Sequence, residues 1–549
     1  LEARFGFFVF ELQPDAPHAV TQQEVGVERG QPVRWRILLG RIVGHNRALT
    51  TSWIQTVMAS HPSGHRSELE RVARQAMLAR GLLPDFDAAA LKQLAEIRSP
   101  SIAIGADIRD LRHLLWCSID NDDSRDLDQL TVSEEAENGG IKILVAVADV
   151  DTLVTKATPI DAHAANNTTS VYTPARVFPM LPERLSTELT SLNPNADRQS
   201  VVVEYTVKDD GMRDGYSVYR AAVRNRAKLA YGSVAAWLDG EGPVPPPVAG
   251  TPGMDAQLRR QNQAALRLRR VRQQRGAPDF QSLESRPVFQ GETLVALKED
   301  KPNQAKTMIA EMMIGANEVV ARFLEAKKRP SVRRVVRSPE RWNRIVSVAA
   351  QYGEMLPPEP SAAALAAFLT KRRAADPLRF PDLSLVIVKL MGRGEYVVEI
   401  PGGASIAHFG LAVDEYSHST APNRRFPDLI TQRLLKAALT DADAPYDEAE
   451  LSALAVHCNL QEENATKVER QVKKSAAALL LGRRIGEGFS GVITGASEKG
   501  TYVRIFDPVV EGRVVRNEAG LKVGDAVRVK LVATDFERGY LDFVRSDTM

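Results

Sequence analysis

Two cysteines in 549 residues exclude a disulfide scaffold and any zinc site built from paired cysteines. Cys117 and Cys458 stand far apart and read as small buried apolar residues of a chain kept in a reducing, cytoplasmic setting. No apolar run reaches the ~18 residues that a membrane span needs, so no membrane is expected as a partner. A formal net charge of only +2 excludes a histone-like polycation, and any nucleic-acid binding must come from local basic surface. Internal repeats and a disordered tail are also missing. Hydrophobic residues make up 44% of the chain, ample for real cores in three or four domains.

Acid is concentrated in one place. Residues 118–130 read S-I-D-N-D-D-S-R-D-L-D-Q-L, with Asp120, Asp122, Asp123, Asp126 and Asp128 falling within nine positions. Carboxylates this crowded raise one another's pKa unless a cation neutralises them. Asp126 and Asp128 are two apart and share one face of an extended segment. Hard oxygen ligands on one face suit Mg²⁺, with Mn²⁺ as a substitute, and leave positions open for water and phosphate. Taken alone, the knot reads equally well as a solvated acidic loop.

Distant segments weigh against the loop. The D-x5-D-x-D spacing after S-I-D resembles the acidic signature of the ribonuclease II (RNB) family, usually D-x5-D-x-D-D. Residues 143–150, I-L-V-A-V-A-D-V, are similar to that family's next strand. Residues 170–186, S-V-Y-T-P-A-R-V-F-P-M-L-P-E-R-L-S, resemble its tyrosine-bearing segment, and 416–429, Y-S-H-S-T-A-P-N-R-R-F-P-D-L, its arginine-bearing one. The four blocks stand in family order over roughly 310 residues, and the resemblance runs from about 114 to the C-terminus. The missing lysine-rich stretch at the end leans towards the ribonuclease II branch rather than the ribonuclease R branch.

The resemblance implies a metal-dependent, processive 3′-to-5′ exoribonuclease that releases nucleoside 5′-monophosphates from single-stranded RNA. It places Asp120, Asp126 and Asp128 at the metal, with Asp128 nearest the chemistry, and Arg424 on the scissile phosphate. Arg425 is expected to support the fold or position a phosphate. Tyr172 would pack against the 3′-terminal nucleotide. Glu311 and Glu469 would meet ribose hydroxyls, with buried ion pairs as the competing account of both. Gln129 departs from the pattern, since an amide stands where the family has its fourth aspartate. An RNA-binding protein that has lost catalysis is therefore the rival reading, and an endonuclease is disfavoured by the tyrosine and arginine blocks. His418 reads as structural, and Asp428 as either an orienting group or a helix N-terminal carboxylate.

The expected organisation is α+β and multidomain. Residues 1–97 form a small α/β module, with strands near 3–12 and 32–43 and helices near 53–59, 68–80 and 88–97, which a helix-turn-helix or winged-helix unit fits. Its role is RNA binding, or else simple structural support. Residues 98–484 form a mixed α/β catalytic domain. Strands are expected near 141–150, 200–208, 383–391 and 395–400, and helices near 256–275, 303–328, 361–373, 425–438 and 447–483. The proline-dense stretch 242–253 reads as a surface loop. The basic run 259–280, carrying Arg260, Arg267, Arg270 and Arg275, reads by itself as a solvated face, but its R-G-A-x-x-F end resembles a family segment, which implies a channel wall for RNA phosphates.

Residues 485–549 resemble an S1 domain, a five-stranded OB barrel. Phe489 and Tyr502 are its candidate stacking plates, with Arg504, Arg513 and Lys499 for phosphates. Gly486, Gly488 and Gly491 spell G-x-G-x-x-G but end a helix and open a strand, the wrong setting for a dinucleotide fingerprint. The expected partners are single-stranded RNA and structured RNA carrying a 3′ overhang, bound by a monomer.

Overall fold

The structure, a computed structural model, describes residues 64–549 apart from 102–104, 106, 282–283, 378, 404, 498–499 and 547–549, and apart from the side chains at 284–285 and 299–300. The strands expected near 3–12 and 32–43 and the helix near 53–59 lie outside the described residues.

A seven-stranded sheet forms the centre of the α+β body. Its order is Ile108–Asp110, Arg213–Arg224, Asp197–Val207, Ile141–Ala148, Gln129–Glu135, Cys117–Asp120 and Ala227–Ala230. Pairing is antiparallel except at the two edges, where Ile108–Asp110 and Ala227–Ala230 run parallel to their neighbours. The middle strand reads I-K-I-L-V-A-V-A and is buried at every position but Lys142, as a strand covered on both faces must be. Helices Met254–Gln274 and Gln304–Ala326 pack on it. The first of them buries Gln257 and Gln261, whose polar groups are met by Ser133 and Thr131 of the sheet. The stripe Met308, Met312, Ala316 and Val319 of the second faces the core as its spacing requires.

Helix Glu448–Leu481, roughly 50 Å long at 1.5 Å per residue, links three cores. Leu451 and Cys458 join the main core, and Val468 and Val472 a second one. Ala477 and Leu481 close the bottom of the barrel. Asp447 caps the helix, accepting from the Glu450 N–H at 2.7 Å. Helix His65–Leu78 shares the second core through Leu69, Val72 and Ala76, facing Val171 and Phe178. The last helix expected of the N-terminal module, Ala88–Glu96, packs on helix Pro159–Asn167.

Two expectations fail. Residues 383–391, read as a strand, belong to the helix Phe380–Met391. Phe380, Leu383, Ser384, Ile387 and Met391 are buried at helical spacing, Pro381 sits in the first turn, and Lys389 is in the last. A short apolar run does not reveal its period until the buried positions are known. The proline-dense stretch also holds one helical turn, Pro246–Ala249, with its prolines at the N-terminus where a missing N–H costs nothing.

Strands Gly488–Ser497, Gly500–Phe506, Val509–Arg516, Ala526–Asp535 and Tyr540–Arg545 close into a barrel. The three glycines do open a strand here. Among the described residues no helix is long and apolar enough to cross a membrane.

Candidate active site

Asp120 ends strand Cys117–Asp120, and Gln129 opens strand Gln129–Glu135, so the acidic knot is the turn between two adjacent strands. The turn is pinned from several sides. Leu127 N–H donates to Ser191 Oγ at 3.0 Å, Lys228 Nζ donates to the Ser124 carbonyl at 2.6 Å, and Arg286 reaches Asn121 Oδ1 at 2.7 Å. Asp122 and Asp123 stay exposed, Asp120 and Asp126 are half-buried, and Asp128 is 2% exposed.

Asp128 is held by the arginine segment from almost 300 residues away. Its Oδ1 accepts from the Asn423 N–H at 2.9 Å and its Oδ2 from Arg424 Nε at 3.1 Å. Burial pushes its carboxyl up to about 7 and the charge of Asp126 adds to this, while Arg424 and the Asn423 N–H pull the other way. Asp126 is raised too, chiefly by burial, with repulsion from Asp120 and Asp123 contributing. Burial works against the charge of Arg424, but Asp128, Tyr172 and Asp126 more than offset it and hold the guanidinium firmly protonated.

Tyr172 arrives on the same spot. Thr169 bridges Arg425, Ser170 N–H donates to the Arg424 carbonyl at 3.0 Å, and Phe426 N–H donates to that of Thr168 at 2.8 Å. Tyr172 is 39% exposed, and its backbone N–H donates to Glu469 Oε1 at 2.8 Å. Burial, with repulsion from Asp126 and Asp128, raises its hydroxyl above the ordinary phenol range, against the pull of Arg424. Acidic knot, arginine and tyrosine thus form one neighbourhood.

Arg425 turns away from it. Its guanidinium donates to Asp428 Oδ1 at 2.8 Å, and Asp428, fully buried in the first turn of helix Phe426–Leu439, also accepts from the Ala421 N–H. Asp428 is thereby an orienting residue for the arginine loop. His418 is structural. It meets the Tyr396 hydroxyl at 2.8 Å and is kept neutral by burial and by the charges of Arg425 and Arg334. Asn317 was not foreseen. From helix Gln304–Ala326 its Oδ1 accepts from the Ser419 N–H and hydroxyl, and its Nδ2 donates to Tyr416, which fixes the loop leading to Arg424. Asn423 was missed as well, because its contribution is a backbone N–H that any residue type carries.

Several expected contacts do not form. Glu311 is 3% exposed and engaged by Arg272 at 2.5 and 3.1 Å, so the ion pair replaces the open ribose acceptor. The basic run mostly holds the fold. Arg260 pairs with Glu135, Arg267 with Asp209 and Arg269 with Asp279, leaving Arg270 and Arg275 exposed. Phe489 is not a stacking plate. It points into the barrel and packs edge-on against Phe543, with ring centres 6.2 Å apart. Arg504 points outward but is buried against Asp382 of helix Phe380–Met391. Tyr502 is half-buried and directly opposite the exposed Arg513, while Phe506 and Tyr540 are exposed aromatics that sequence reasoning passed over. Lys499 lies outside the described residues.

The donors suit a divalent cation in charge, since two raised carboxyls and the buried, unpartnered Oε1 of Gln129 gather beside the knot. They do not make a cage of their own. Among the described residues no three acidic, histidine or cysteine side chains converge as one coordination shell.

The RNB domain matches residues 108–441, and the RNase II-type exonuclease C-terminal S1 domain matches 487–546. Ribonuclease R of Escherichia coli (strain K12) is 32% identical over 474 residues, covering 79% of this chain and 57% of its own length. The chain thus spans little more than half of that relative. The lean towards the ribonuclease II branch finds no support in relatives of this kind. Ribonuclease R of Mycoplasma genitalium, solved with ribose-methylated single-stranded RNA, has the same fold at a TM-score of 0.77 and 23% identity, covering 86% of this chain and 77% of that one. Yeast Ssd1, described as a pseudonuclease, aligns at a TM-score of 0.64 and 17% identity over 83% of this chain and 56% of its own. With the RNB match spanning more than half of its residues, and an S1 barrel after it, the chain belongs to the RNB family.

Proposed function

We propose that the chain is a metal-dependent, processive exoribonuclease that degrades single-stranded RNA from its 3′ end to nucleoside 5′-monophosphates in RNA turnover. The observation that carries this reading is the convergence of Asp128, Arg424 and Tyr172 from three distant segments. Members of this family depend on divalent metals in general. Mg²⁺, with Mn²⁺ as a substitute, would be held by Asp128 with Asp126 or Asp120, and when bound would supply charge neutralisation and an activated water at the phosphate. Arg424, 40% exposed at its side chain, offers the scissile phosphate a guanidinium already oriented by Asp128. Tyr172 gives the terminal base a plate beside it, and Glu469 fixes that plate's backbone and contacts the ribose.

In this scheme residues 98–484 carry the chemistry, 485–549 capture RNA through Tyr502 and Arg513, and 1–97 add a nucleic-acid-binding module. The chain acts as a cytoplasmic monomer and accepts structured RNA through a 3′ overhang. Gln129, which brings no charge to the knot, favours a second reading, an RNA-binding protein with impaired catalysis. Incubating 5′-labelled single-stranded RNA with Mg²⁺, with and without chelator, separates the two. A descending ladder that the chelator abolishes supports the enzyme. Retarded but intact RNA supports the binding protein.

A further inference from the structure

Away from the acidic knot, a cavity of about 630 Å³ opens between the barrel and the helices Trp342–Gln351, Ala362–Ala375 and Phe380–Met391. This volume lies within the range of small-molecule sites. Its floor is apolar, with Leu383 and Val386 on the helical side and Ile493 and Leu521 on the barrel. Tyr352 forms one wall, 41% exposed, and the Arg372 guanidinium lies 4.5 Å from its ring centre. Arg344, Arg379 and Lys522 stand exposed around the rim.

The charge around this cavity is unbalanced. Asp382 is taken up by Arg504, which leaves Asp376, 3.9 Å from Arg379, as the carboxylate facing four cations. An apolar floor, an aromatic plate backed by a guanidinium and a cationic rim ask for a ligand with one flat ring and one anionic end. We propose that this cavity binds a nucleotide unit, its base against Tyr352 beside Arg372 and its phosphate on Arg344, Arg379 and Lys522. The unit is either a free nucleoside monophosphate or one nucleotide of an RNA strand passing the barrel. The site shares no residue with the Asp128–Arg424 neighbourhood, so it stands whether or not that neighbourhood is hydrolytic.

Calorimetric titration with AMP, and separately with a 12-nucleotide single-stranded RNA in chelator, tests the site in the full chain. Tyr352→Ala and Lys522→Glu alter exposed side chains and leave the cores intact, which an unchanged melting temperature verifies. Each is expected to weaken ligand binding about tenfold, the scale of one lost stacking plate or phosphate contact. Loss confined to AMP identifies a free-nucleotide site, and loss that includes the oligonucleotide identifies a subsite of the strand. Unchanged affinity of both variants for both ligands overturns the proposal.

Discussion

Asp128 has two partners and a crowded neighbourhood, and its chemistry follows from the balance between them. Burial and Asp126 disfavour its charge, while Arg424 and the Asn423 N–H favour it. Asp128→Asn keeps the shape and removes the charge. Turnover of single-stranded RNA should vanish while RNA affinity, measured by filter binding, stays within a few-fold. Retention of more than about a tenth of wild-type turnover, a barrier change of only ~1.4 kcal/mol, would contradict the assignment. The two neighbouring arginines should behave differently. Arg424→Ala should cut turnover by at least ~100-fold, the loss of one oriented charge donor. Arg425→Ala strands the fully buried Asp428 without its cation, and should show first as a loss of roughly 3–5 kcal/mol in stability. Equal kinetic effects with equal stabilities would mean that both arginines serve the fold alone. The sequence separated the two only through the resemblance, because R-R carries no sign of which guanidinium turns towards the knot.

The hairpin that carries Tyr172 is two residues per strand and owes its placement to what packs behind it. Val171 and Phe178 lie in one core with helix His65–Leu78, and Arg66 donates to the Ala175 carbonyl at 2.9 Å. The sequence revealed that helix through its period but not its destination, because an amphipathic stripe does not name the surface it covers. If Tyr172 closes the RNA path, Tyr172→Ala should release products several nucleotides longer while long RNA is still degraded at a comparable rate. Denaturing gels read the end product, and an unchanged length would make Tyr172 an ordinary loop aromatic. A second tie in this region is sensitive to acid. His163 packs its ring 4.1 Å from that of Phe86 and lies 3.3 Å from Asn167 Nδ2. Burial lowers its pKa to about 4, against a smaller upward pull from Asp87 and Asp85. Between about 4 and 6.5 the unfolded chain binds this proton and the folded chain does not, so the stability His163 allows is complete above 6.5 and lost as pH falls towards 4. Thermal melts at pH 7.5 and 5 should show a smaller drop for His163→Gln than for the wild-type chain.

Across the whole molecule, a net charge of +2 leaves the proposed RNA capture to local groups, and Tyr502 and Arg513, paired across two barrel strands, are the candidates on the barrel. Replacing both by alanine should weaken binding of long RNA and lower the salt slope by about 0.7, one phosphate contact on a single strand. Degradation of short RNA should be unaffected. The barrel was legible through the resemblance of residues 485–549 to an S1 domain, but which aromatics face outward was not. Phe489 and Tyr502 sit in similar sequence, and only the closed barrel turns one inward. Sequence period located the helix Gln304–Ala326, whereas the middle strand of the sheet showed only as a short apolar run. The Asp128 partners come instead from chain crossings that no local pattern encodes. The central claim is hydrolysis that starts at the 3′ end. The most direct measurement follows single-stranded RNA labelled at its last internucleotide phosphate, with Mg²⁺, by thin-layer chromatography at early times. The account predicts that the first labelled product is a nucleoside 5′-monophosphate; labelled oligonucleotides appearing first would contradict it.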